Sequence, residues 1–170
     1  MKKVLIFSGC IMLCLAGLFT ASACGTSDVT IPEVETTHFA EPDLIRHKVG
    51  ETFESEEFIF TYNSVKKVDS VNDGEYKPSE GKEFYQLELT VENKLDTETH
   101  VNYNCFIGFA DDELIDQFYF TDDILRGILT EKGDKVTGTL TYYVPEDADK
   151  VEVIFQYDMY HEEKLAFSVK

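Results

Sequence analysis

Gly81-Lys82-Glu83-Phe84-Tyr85-Gln86-Leu87-Glu88-Leu89-Thr90-Val91-Glu92-Asn93 decides the fold class. Tyr85, Leu87, Leu89 and Val91 share one parity, while Gln86, Glu88, Thr90 and Glu92 share the other. Successive side chains of a strand point to opposite faces, so this alternation predicts a strand with one dry face and one wet face. Phe84 stands out as an aromatic on the polar parity.

The flanking segments repeat the period. Towards the N-terminus, Val49 to Phe53 reads as a short strand. Phe58, Phe60 and Tyr62 alternate in another that continues through Val65 and Val68. Asn72-Asp73-Gly74 and Lys77-Pro78-Ser79-Glu80 mark loops, because Gly supplies positive φ and Pro fixes φ. Towards the C-terminus, Val101, Tyr103, Cys105, Ile107 and Phe109 alternate. Asp111-Asp112-Glu113 marks a tight hairpin, with Leu114 to Phe120 returning. Asp122 to Lys135 is weakly patterned and reads as a loop or a helical turn around Ile124-Leu125. Val136, Gly138, Leu140, Tyr142 and Val144 alternate, which places Thr137, Thr139 and Thr141 towards solvent. Val151 to Tyr157 and Leu165 to Val169 read as the last strands, and His161 as a hairpin residue between them. About eight short strands separated by turn signals predict an all-β sandwich or barrel rather than a βαβ fold.

The first residues set the compartment. Met1-Lys2-Lys3, an apolar run from Val4 to Leu18 and Ala21-Ser22-Ala23 have the order of a secretory signal, so residues 1–23 are expected to be removed. The run is short against the ~20 residues a membrane span needs. Cys24 follows the expected cut and resembles the cysteine of a bacterial lipobox, whose sulfur takes a diacylglycerol. Ala21 stands where a lipobox usually carries Leu, and an ordinary signal peptidase would cut at the same bond. The two alternatives differ in the fate of Cys24. An unpaired N-terminal cysteine is odd in an exported chain, which favours lipidation and a partnership with the bilayer. Residues 24–46 then read as a lipidated terminus and disordered linker, rich in Thr, Pro and acids, and residues 47–170 as one domain.

Of 15 Lys and Arg, Lys2 and Lys3 leave with the signal, so 13 bases face 33 acids in the mature chain, a net −20. Phosphate binding needs a basic face, so nucleic acid is excluded as a partner. Cys105 remains alone after Cys10 and Cys14 leave and Cys24 is acylated; it reads as a small buried hydrophobe.

Candidate sites are few. Asp69, Asp73, Gly74 and Glu80 match four positions of a calcium loop, but Val71 occupies a position that needs an oxygen ligand. A looser calcium site from Asp69, Asp73, Asp111, Asp112 and Asp116 is the weaker alternative to solvated turn acids. His38, His47, His100 and His161 lack metal-ligand spacing, and no hydrolase or phosphate-loop motif is present. No catalytic residue and no cofactor is implied. Phe84, Phe106, Tyr119 and Tyr143 lie off the apolar parity and are the candidate contacts for a partner, set against a second buried face.

Several of these segments resemble one family. Val49-Gly50-Glu51, Lys77 to Phe84, Leu89-Thr90-Val91-Glu92-Asn93, Gly138-Thr139-Leu140 and Tyr143-Val144-Pro145 are similar, in order, to the domain of unknown function 4352. That resemblance implies an immunoglobulin-like antiparallel β-sandwich on the outer face of a bacterial membrane, and carries no catalytic residues. Asp111-Asp112-Glu113 departs from the family's frequent Gly in the hairpin. The expected function is a non-enzymatic, membrane-anchored binding module for a protein or envelope component. A calcium-dependent module using the acidic turns is the alternative, and an envelope hydrolase the second.

Overall fold

The computed structural model describes residues 44–156 and 164–170. The expected signal, Cys24, linker residues 24–43, Tyr157 and His161 lie outside the described residues. Twelve strands are present among the described residues. They are β1 (Arg46–His47), β2 (Thr52–Glu54), β3 (Phe58–Val68), β4 (Lys82–Asn93), β5 (Thr99–Asn102) and β6 (Phe106–Ala110). The chain continues through β7 (Glu113–Ile115), β8 (Gln117–Phe118), β9 (Arg126–Leu129), β10 (Lys135–Pro145), β11 (Val151–Phe155) and β12 (Leu165–Ser168). One five-stranded sheet runs β1-β12-β11-β6-β7 and a second runs β2-β3-β4-β10-β8, while β5 and β9 form a two-stranded ribbon.

The predicted central strand is central. β4 pairs antiparallel with β3 on one side and β10 on the other, with Leu87 opposite both Val65 and Leu140. Leu87, Leu89 and Val91 are fully buried, and each contributes roughly 1.5–3 kcal/mol over an exposed position. Tyr85 is half-buried at the margin of the same core. Phe58, Phe60, Tyr62, Leu140, Tyr142 and Val144 add to this face from β3 and β10. Phe106, Val151, Val153, Phe155, Leu165 and Phe167 meet them from the other sheet, which makes the domain a β-sandwich. Two tyrosines stitch the sheets together. The Tyr62 hydroxyl donates to Ser168 O at 3.0 Å, and the Tyr142 hydroxyl to Phe106 O at 3.1 Å. Burial raises the pKa of both phenols well above the ordinary value, so both remain donors.

Five expectations change. First, the run from Val101 to Phe109 is not one strand. The side chain of Asn102 accepts from Asn104 N and caps a 3₁₀ turn over Tyr103–Cys105. That turn reverses the parity, so Phe106, Gly108 and Ala110 face the other sheet and Ile107 and Phe109 face outward. Phe106 is therefore a core residue, 3% exposed, and not a partner contact. Cys105 is half-buried against the core.

Second, Phe84 is fully buried. It anchors a satellite cluster with Val71 and Phe118, flanked by Val68, Tyr76 and Tyr143, on the outward side of β4. Third, Thr139 and Thr141 are buried, whereas Thr137 is exposed as expected. Gln117 and Phe118 pair antiparallel with Tyr142 and Thr141 of β10, the chain turns at Asp122-Asp123, and Ile124 then bridges Thr139 in the parallel sense. Thr139 N donates to Asp123 O at 2.8 Å, and Leu125 N donates to Thr139 O at 2.9 Å. Gly138 permits this approach, because a Cβ there would lie 2.6 Å from Leu125 Cα. The weakly patterned stretch thus opens with a turn at Asp122-Asp123, packs Leu125 against β10 and continues into strand β9, which its pattern did not announce.

Fourth, the fold reaches back to Arg46, inside the expected linker, and Leu44 packs beside Ile107, Phe109, Ile154 and Ala166. Fifth, β1 runs parallel to β12, so the sandwich is antiparallel except at this edge. The two strands belong to opposite ends of the domain, so their connection is the whole sandwich and needs no local crossover.

Candidate binding face

The satellite cluster positions the most exposed aromatics among the described residues, Tyr119 and Phe120. Val71 and Tyr76 pair as an antiparallel bridge that closes the Asn72-to-Glu75 turn. Asn72, Asp73 and Gly74 have φ of 50°, 54° and 92°, a left-handed run that Asn, Asp and Gly adopt at lowest cost. Asn72 Nδ2 donates to Phe120 O at 2.6 Å, which ties this hairpin to the segment lying along β10.

That segment carries Phe118-Tyr119-Phe120. Phe118 points into the cluster, leaving Tyr119 52% and Phe120 57% exposed. Their rings touch, with centroids 4.5 Å apart. Tyr119 stacks near Tyr103 at 6.3 Å, and Phe120 near Tyr76 at 6.5 Å, so four aromatics form one continuous strip. Phe118 supports Phe120 edge-on at 5.8 Å.

Beside the strip is an open groove of about 510 Å³. Lys66, Asp73, Gln86, Asp122 and Asp123 supply its polar wall. Asp123 is held by Thr139 Oγ1, which donates to its Oδ1 at 2.9 Å. The Tyr76 pKa is raised by a hydrogen bond to Glu75, by the Glu75 charge, by partial desolvation and by the charge of Asp122.

Of the four aromatic candidates, Tyr119 alone is exposed. Tyr143 is half-buried on Phe84 and Phe118, with the Lys82 ammonium 5.7 Å from its ring centroid. Phe120 was not among them. Alternation alone would place Phe120 on the same face as buried Phe118; it is exposed because β8 ends at Phe118, which no local pattern announces.

The five acids considered for calcium separate. Asp73 lines the groove, and Asp69 lines a second recess of about 200 Å³. Asp116 lies 3.6 Å from Lys82 Nζ, and Asp112 lies 3.6 Å from Lys150 Nζ. Asp111 accepts from Lys150 N at 2.8 Å and Asp149 N at 3.1 Å, and these backbone donors hold its carboxyl below the ordinary value. With φ of 48° and 69°, Asp111 and Asp112 make the two-residue β6–β7 turn without glycine. Among the described residues, no group of three or more His, Cys, Asp or Glu is placed to share a metal.

The described residues form a two-sheet β-sandwich that carries an exposed aromatic strip beside an acidic groove. The chain belongs to the domain of unknown function family DUF4352, whose model matches residues 47–165. It is similar to the uncharacterized lipoprotein YjhA of Bacillus subtilis, 34% identical over 123 residues. That match covers 61% of this chain and 55% of the relative, so the chain spans about half the length of that relative. The crystal structure of the yjhA protein superposes with a TM-score of 0.57 at 23% identity, covering 73% of this chain and 99% of that one. The secreted protein MPT63 of Mycobacterium tuberculosis superposes at 0.53 with 16% identity, covering 75% and 97%. These likenesses concern the fold.

Proposed function

We propose that the chain is an exported, lipid-anchored envelope lipoprotein whose sandwich binds a partner without catalysing a reaction. The observation that carries the binding half is the adjacent exposed pair Tyr119 and Phe120 at the edge of the groove. Aromatic rings left half in water on a rigid support are favourable partner anchors, because they bury much area on contact and lose little side-chain entropy. The anchoring half rests on the signal pattern, on Cys24 and on the lipoprotein name of the relative. Diacylglycerol on Cys24 would hold the chain on the extracytoplasmic face of the membrane.

Two measurements test it in cells. Cys24→Ser is expected to move the protein from the membrane fraction to the soluble extracytoplasmic fraction; retention in the membrane would refute lipid anchoring. A benzoylphenylalanine placed at position 120 is expected to cross-link a specific partner, and one at Glu131 is not. Equal products from both positions would refute a binding role for this face.

A further inference from the structure

We infer that the strip and groove together take an arginine-bearing stretch of a partner protein; this rests on the binding role proposed above. Three carboxylates, Asp73, Asp122 and Asp123, line the groove against one lysine, Lys66, among the described residues. All three belong to exposed residues, and the mature chain carries a net −20 once Lys2 and Lys3 are removed from the total. A phosphate, an anionic lipid or an acidic peptide would meet like charge here.

The aromatic strip selects further. Phe120 leads directly through Thr121 into Asp122 and Asp123, and its carbonyl is bonded to Asn72 on the groove wall. A guanidinium is planar and weakly hydrated. It can lie flat on an exposed ring while its in-plane N–H groups reach a neighbouring carboxylate. A lysine ammonium is a compact, strongly hydrated point charge and gains less from such a pairing. The tie from Asn72 to Phe120 O, and Thr139 on Asp123, hold rings and acids in place before a partner arrives. Less ordering cost is then left for the binding step.

The test uses the whole chain purified in detergent and a fluorescein-labelled peptide of alternating Arg and Gly, followed by anisotropy. Binding is expected to weaken as ionic strength rises, and to fall about tenfold in Phe120→Ala and in Asp122→Asn/Asp123→Asn. The corresponding Lys-Gly peptide is expected to bind several-fold more weakly. A control pair, Glu56→Gln/Glu131→Gln, removes the same charge near the Asn93 end of β4 and is expected to leave affinity unchanged. Equal loss in the control would mean general attraction to a polyanion and would overturn the proposal. So would full affinity in Phe120→Ala, or equal affinity for the lysine peptide. If calcium chloride raises the melting temperature of the parent protein but not of the Asp122/Asp123 variant, the groove is a cation site and the arginine assignment is wrong. A non-basic partner cross-linked at position 120 would overturn this inference while leaving the binding role intact.

Discussion

Arg46 Nε donates to Glu152 Oε2 at 2.8 Å, joining the first strand of the fold to β11 across the intervening β12. The Glu152 side chain is 4% exposed, and its other oxygen lies 3.2 Å from Lys150 Nζ. Arg46 also donates from Nη1 to Leu44 O at 3.0 Å. A single guanidinium therefore fastens the point where the chain enters the sandwich. Arg46→Ala leaves a buried carboxylate with one remaining cation. It is expected to destabilise by about 2 kcal/mol, less than a fully buried pair because Arg46 is partly exposed. Urea unfolding checks the value; a change under a few tenths would show that Lys150 alone satisfies Glu152.

Gly138→Ala should be far more damaging than its size suggests. The new Cβ would meet Leu125 Cα at 2.6 Å and Leu125 N at 2.9 Å, both backbone atoms that cannot rotate away. The segment carrying Phe120 must lift from β10, at a cost of roughly 1–3 kcal/mol. Faster hydrogen exchange at the Leu125 and Thr139 amides, both bonded across this contact, is the expected signature.

Phe84 and Phe120 should behave oppositely when truncated. Phe84→Ala empties a fully buried site and is expected to cost about 3–5 kcal/mol. Phe120→Ala removes a ring that is 57% exposed and is expected to change stability by no more than ~0.5 kcal/mol. Denaturant midpoints of the two variants separate a core aromatic from a surface one.

Asp111 should make stability pH-dependent. Backbone donors from Lys150 and Asp149 lower its folded pKa below the ordinary 3.8. A carboxyl depressed on folding stabilises at pH values above its unfolded pKa, and that contribution is lost as pH falls through the folded value. Asp111→Asn is therefore expected to lower the melting temperature near neutral pH, with the gap to the parent closing as pH drops below the ordinary carboxylate value. A gap that stays constant into strong acid would show that charge plays no part at this turn.

The candidate face was only half legible in the sequence. Tyr119 lies off the apolar parity and is exposed. Phe84 and Phe106 lie off parity too, yet both are buried. Parity assigns residues to faces within one unbroken strand. It fails for Phe106 because the Asn102-capped turn resets the phase, and for Phe84 because a distant segment covers the outward face.

The period-two pattern alone determined the core faces of β3, β4 and β10 and the all-β class, because alternation is a local consequence of the pleat. Tertiary structure alone decided which outward faces stay wet. Thr139, Thr141 and Phe84 are dry because the Gln117–Leu125 segment and the Asn72 hairpin lie over or against their strands. Tyr119 and Phe120 are wet because nothing in the described chain lies over them. Local alternation fixes direction, whereas burial depends on what returns from far along the chain, and no residue's immediate neighbours carry that information.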